Sequence, residues 1–149
     1  MIRNYRDHYS PWLLWKWCIF FYETSYTFEI IITLFFWTVL YPGFKVKTYS
    51  LFFDHIAPVT LLTIDYCMNR IPFNFRHLSV SVGVMMVYGL VNLTKTLVTG
   101  VPVYPPLNFH DVMSYVYTLL LVVLEFLGYV VLYYLTRWKL QKIVAMDVR

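Results

Sequence analysis

Seven polar side chains interrupt the otherwise apolar stretches of this chain: Glu29, Asp54, His55, Asp65, Asn92, Lys95 and Glu125. Such groups are costly among hydrocarbon side chains unless they find partners, so chemistry or specific pairing is expected there. Histidine titrates near neutrality, which makes His55 the candidate general base, with hydrogen-bonded packing as its ordinary alternative. Asp65 follows ten residues later, about 15 Å along a helix, so the two cannot form a directly bonded dyad. Asp54 and Lys95 are expected at one level of neighbouring helices, where they would pair. Asp65 lies instead near Arg70, Arg76 and His77, as a charge partner or as part of a site for anionic lipid headgroups, to which Arg137, Lys139 and Lys142 would add. Glu125, between Leu124 and Phe126, must be protonated or paired; a hydrogen bond to another helix is expected, with Glu29 its one nameable neighbour for a proton relay. Asn92-Leu93-Thr94 matches a glycosylation sequon inside an apolar segment and reads as interhelical glue.

These residues must be held by membrane-spanning helices. Of 149 residues, 60% are hydrophobic and 13% charged, and the mean hydropathy is +0.59, well outside the range of a water-soluble domain. Crossing ~30 Å of hydrocarbon takes about 20 apolar residues per helix. Four segments qualify, at about 24–41, 51–68, 78–99 and 112–136. They are punctuated by Pro42-Gly43, by Asn69 to Pro72, and by Gly100 with its proline-rich continuation. Pro58, one turn after Asp54, predicts a kink beside His55. Residues 11–22, with Trp12, Trp15 and Trp17 around Lys16, read as an interfacial helix or a long lead-in to the first span. The expected fold is therefore all-α: one domain over 1–149, a polytopic bundle of four transmembrane helices with an N-terminal interfacial helix. The N-terminus carries no cleavage site for a signal peptide. Ser79 and Gly83 offer a small-residue step for close helix approach.

Arg3, Arg6, Lys16, Arg70, Arg76, Arg137, Lys139, Lys142 and Arg149 fall on one side of a four-helix path, against Lys45 and Lys47 on the other. The positive-inside rule then puts both termini in the cytosol, or in the matrix for a mitochondrial inner-membrane protein. The net charge of +4 forms no continuous basic stripe, so nucleic-acid binding is excluded. Cys18 and Cys67 stand outside any CxxC or Cys/His spacing, so no metal is expected, and no cofactor.

One pattern is more specific than any single residue: His55, Asp65, Arg76, then Val98-Thr99-Gly100-x-x-Val103-Tyr104-Pro105-x-Leu107. It resembles the androgen-induced and rolling-stone family of membrane proteins, over roughly residues 20–135. The stretch Ile32 to Tyr41 and the loop Ile71 to His77 are similar to rolling-stone proteins as well. The family includes threonine-dependent hydrolases of fatty acid esters of hydroxy fatty acids. The resemblance implies that His55 matches the catalytic histidine and Asp65 an acidic position. The family's nucleophilic threonine lies on an earlier helix, upstream of the matched residues, and Thr24 and Thr27 do not match it in position.

Two functions follow. The first is a non-catalytic integral subunit that packs against lipids, anionic ones included, and other subunits of a larger membrane complex, such as a mitochondrial respiratory assembly. The alternative is an intramembrane ester hydrolase, which requires a threonine hydroxyl, for instance of Thr60, Thr94 or Thr96, within hydrogen-bond reach of His55.

Overall fold

A computed structural model describes residues 12–43 and 49–147; Arg3, Arg6, Lys45, Lys47 and Arg149 lie outside the described residues. Four helices follow one another: α1 (Trp12–Phe35), α2 (Tyr49–Met68), α3 (Leu78–Thr99) and α4 (Val112–Asp147), with no strand among the described residues. With the short turns that adjoin them, they form four stretches long and apolar enough to cross a membrane: Leu13–Gly43, Tyr49–Met68, Phe75–Thr99 and Val112–Met146. The protein is an all-α, multi-pass bundle.

No glycine or proline occurs between Trp12 and Tyr41, so nothing breaks the first helix before Pro42. The Trp-rich stretch is accordingly the beginning of α1 and not a separate helix. After Phe35 the chain loosens into one π turn, Phe36–Leu40, and a 3-10 turn, Tyr41–Gly43. The Tyr41 amide donates to the Phe36 carbonyl, which carries the chain into Pro42, a residue with no amide proton. α2 continues through Pro58. At its end, Asn69 donates to the Asp65 carbonyl at 2.8 Å. The Lys139 ammonium of α4 bonds the carbonyls of Tyr66 and Asn69, and it lies 4.1 Å from the centre of the Tyr66 ring. A cation thus caps the negative end of α2, as the helix dipole favours.

Asn74 opens α3 by accepting from the Arg76 amide at 3.1 Å, and Gly100 closes it at φ +69°, a backbone shape that glycine adopts freely. Phe109 also has positive φ, 57°, held in place by burial and by Tyr115, whose hydroxyl donates to its carbonyl at 3.3 Å. Asp111 begins α4: its Oδ1 accepts from the Ser114 amide at 2.9 Å, a standard N-cap.

Cross-helix pairs set the register. Tyr22 with Asn69, Tyr26 with Thr63 and Thr33 with the His55 carbonyl make α1 and α2 antiparallel. Ser81 with Glu125 and Gly89 with Thr118 do the same for α3 and α4. Both α2 and α4 pack on α1, and α3 packs on α4, while α2 and α3 share no extended interface. The close approach expected at Gly83 is absent, since open space surrounds it. α1 and α4 meet instead at Gly128, where an added Cβ would stand 3.2 Å from Ile31 Cδ1. The buried cluster, Tyr26, Phe73, Leu78, Tyr129 and Leu132, lies toward the end where α2 stops and α3 starts.

Asp111 is held below the usual carboxylate range by hydrogen bonds from the Asn108 amide and then from Ser114. Its depressed folded value means that the cap stabilises above about pH 4 and loses its contribution as pH falls through that lowered value. Asp111→Ala is expected to lower the thermal midpoint in detergent at pH 7 and to change it little near pH 2. Equal midpoint losses at both pH values would contradict this.

Candidate functional site

Glu23, one residue ahead of the first span as read from sequence, gathers hydrogen-bond partners from two other parts of the bundle. It is fully buried. Its Oε1 accepts from the Asn74 amide at 2.8 Å. Its Oε2 lies 2.6 Å from His77 Nδ1 and accepts from the Tyr129 hydroxyl at 2.6 Å. That hydroxyl also reaches the Asn74 carbonyl at 2.9 Å. One carboxylate therefore ties α1 to the loop before α3 and to α4. Charge-assisted hydrogen bonds of this kind are short and strong, and removing their acceptor strands several donors at once. Phe20 covers His77 edge-on at 5.6 Å, and the His77 side chain keeps 23% of its surface exposed.

The α1 residues at this level repeat at four-residue spacing: Glu23, Thr27, Ile31 and Phe35 are all buried, the face that meets α4. That stripe was the signal for Glu23. Glu29 falls off it and makes no contact with Glu125, because two residues past Thr27 the helix has turned by ~200°.

Other expected pairings resolve differently. Asp54 accepts from Ser50 at 3.0 Å and not from Lys95, which is exposed on α3; with no extended interface between α2 and α3, the two ends stay apart. Asp65 accepts from the Asn69 side chain at 2.9 Å, not from an arginine, while His77 belongs to Glu23. Arg76, exposed, and Arg137, whose Nη1 donates to the Tyr133 hydroxyl at 3.2 Å, lie at the same end of the bundle as Arg70. Lys142 lies 5.9 Å from the Trp138 ring centre. Glu125 makes the expected interhelical bond, accepting from Ser81 at 2.6 Å, but its Oε2 is buried without a partner. The Asn92 Nδ2 and Thr96 Oγ1 are likewise buried and unbonded, so Asn92 sits inside the protein without gluing helices through that amide.

Toward the opposite end lies a cavity of about 200 Å³, larger than engineered cavities of ~150 Å³ that admit benzene. Phe28, Ile32, Phe36, Met85, Leu107 and Leu121 give it an apolar wall. His55 lines it too, its ring stacked on Phe36 with centroids 3.6 Å apart. The π turn places Phe36 and Leu40 along this wall. Two hydroxyls mark its polar edge, Tyr88 and Tyr104, 3.1 Å apart; burial, then the Tyr88 partner, push the Tyr104 phenol up to about 12. Among the described residues no threonine hydroxyl bonds the His55 ring. Thr33 donates to the His55 carbonyl at 2.8 Å and Thr94 to the Leu90 carbonyl at 2.9 Å, so neither of these two hydroxyls is directed at the ring as a nucleophile for ester cleavage would be. No group of His, Cys, Asp and Glu among the described residues could hold a metal ion.

No protein-family model, curated protein or solved structure matches the chain.

Glu23→Ala would leave the Asn74 amide and His77 Nδ1 without their partner, at ~1–3 kcal/mol each, and the Tyr129 hydroxyl with the Asn74 carbonyl alone. The expected fall in thermal midpoint in a fixed detergent is about 5–15 °C. Glu23→Gln, which retains one acceptor oxygen, should lose less. Equal midpoints for wild type and Glu23→Ala would refute the clamp.

Proposed function

We propose that this chain is a non-catalytic integral membrane subunit that packs against lipids and neighbouring membrane chains within a larger assembly. The observation that carries this reading is the outer face of α2. None of its residues is buried, and Asp54, Leu61 and Asp65 share an exposed stripe. Asp54 meets only the neutral Ser50 of its own helix, and Asp65 bonds the Asn69 side chain just beyond the helix, with the Lys139 ammonium as a cationic neighbour. Carboxylates on a face otherwise made of Phe53, Leu61, Ile64 and Met68 are unfavourable against lipid tails. A neighbouring chain that supplies cationic or hydrogen-bonding groups would relieve that cost.

Lipid contact belongs to the same reading. Trp15, Trp17 and Trp138 are exposed near the chain ends, with Arg76, Arg137 and Lys142 beside the levels where headgroups would lie. The nine-to-two distribution of basic residues favours placing both termini on the cytosolic side, or on the matrix side in the mitochondrial inner membrane, the setting we propose ahead of endomembranes.

The second reading, an ester hydrolase of the androgen-induced and rolling-stone type, draws on the position of His55 in the wall of an apolar cavity. It requires a nucleophile to reach that ring.

Gentle detergent extraction followed by native mass measurement decides between them. The subunit reading expects a large complex of fixed composition, from which Asp54→Asn with Asp65→Asn partly releases the chain. Arg137→Gln with Lys142→Gln should lower the anionic lipid that co-purifies. A lone chain that hydrolyses lipid esters, and loses that activity in His55→Ala, would overturn the subunit reading.

A further inference from the structure

We propose that Glu125 is held as a neutral carboxylic acid and exchanges its proton with the side of the membrane where α2 ends and α3 begins, through Tyr129, Glu23 and His77. Glu125 sits near the middle of α4 and is fully buried. One of its oxygens accepts from the Ser81 hydroxyl of α3; the other is buried and bonded to nothing. The groups around it can be named element by element. α3 supplies Ser81 and α4 supplies Tyr129 one turn away, while the facing stripe of α1 brings Glu23 to Tyr129 and Thr27 to Gly128. Among the described residues no Lys, Arg or His bonds or pairs with it. An ionised carboxylate there would have a single neutral donor, whereas a proton removes the charge that burial penalises.

That proton needs a route, and the polar side chains supply one in one direction only. Tyr129 follows Glu125 by four residues on the same helix, a spacing that brings side chains within about 6 Å. The two are not directly bonded, and the unpartnered Oε2 is the acceptor that a bridging water would satisfy. Beyond Tyr129 the chain is continuous: hydroxyl to Glu23 Oε2 at 2.6 Å, then Oε2 to His77 Nδ1 at 2.6 Å. His77 is part-exposed and ends the series. Inward transfer takes one proton onto His77 Nε2 and passes the Nδ1 proton to Glu23. Glu23 delivers a proton to the Tyr129 oxygen as that hydroxyl releases its own, through water, to Glu125. Outward transfer is the reverse of these steps and comes first, so the inward proton restores the O–H bond that Glu125 has just given up; over the exchange one proton leaves, one enters, and every group, Glu125 included, returns to its starting charge. Toward the other face, the next turn from Glu125 and Ser81 presents Leu121 and Met85, which line the apolar cavity with Phe28 and Ile32. Among the described residues no hydrogen-bonded chain joins Glu125 to the polar groups of that cavity, His55, Tyr88 and Tyr104.

The test is infrared spectroscopy of the purified full chain in detergent. The difference between wild type and Glu125→Gln isolates the carbonyl stretch of a protonated carboxyl, and its downshift in deuterated water times the exchange. The expected result is a band present in wild type at neutral pH, lost in Glu125→Gln, and exchanging about tenfold or more slowly in Tyr129→Phe and in His77→Asn. Both variants keep ring volume or a donor to Glu23, and helical circular dichroism checks their fold. Should Tyr129→Phe unfold, His77→Asn decides the route alone. Absence of the band from wild type, or wild-type exchange rates in the folded variants, overturns the proposal.

Discussion

A single carboxylate organises this bundle. Glu23 gathers an amide from the loop before α3, an imidazole from the residue just ahead of that helix and a phenol from α4, all around a side chain with no access to solvent. Lipid tails are as apolar as leucine, so apolar burial alone gives membrane helices little reason to choose one neighbour over another. Directed hydrogen bonds to a buried charge supply that choice. The aromatic cluster of Tyr26, Phe73 and Tyr129 forms around the same point, and the loop that carries Phe73 can be short because Asn74 is fixed at its end.

Away from this clamp the protein becomes more open and more apolar. α2 rests on α1 with none of its residues buried, and the cavity opens beyond Ser81 and Glu125, where polar contacts give way to Phe28, Ile32 and Met85. The two ends therefore differ in kind. One is a tightly bonded polar and aromatic knot, the other a loosely filled apolar space bounded by His55 and the Tyr88–Tyr104 hydroxyl pair.

Much of the fold was legible in the sequence because the hydrocarbon requirement is severe: four apolar runs, stopped by Pro42-Gly43, Asn69 to Pro72 and Gly100, became four helices with ends near those stops. Helix length was less legible. α1 and α4 run well past the apolar runs, since a helix already started needs no further apolar residue to continue through the polar boundary. Pairings were the least legible. Asp54 with Lys95 followed from depth alone, and depth says nothing about which helices are neighbours. Glu23 escaped notice because it stood one residue outside an apolar run, although its four-residue spacing to Thr27, Ile31 and Phe35 marked it as inward-facing. Gly83 looked like a contact point, but the face that mattered carried Gly128.

The Lys139 cap on α2 bears on the order of events during synthesis. The carbonyls of Tyr66 and Asn69 leave the ribosome long before the cation that serves them, 73 and 70 residues later in the chain. Until α4 arrives, the end of α2 must satisfy those carbonyls with water or headgroups, so α2 can enter the membrane early but cannot be locked. Tyr129, from the same last helix, follows Glu23 by 106 residues. The final span thus acts as a latch: a chain stalled before α4 would present an acid short of its phenol partner and an uncapped helix, both recognisable to quality-control machinery as unfinished.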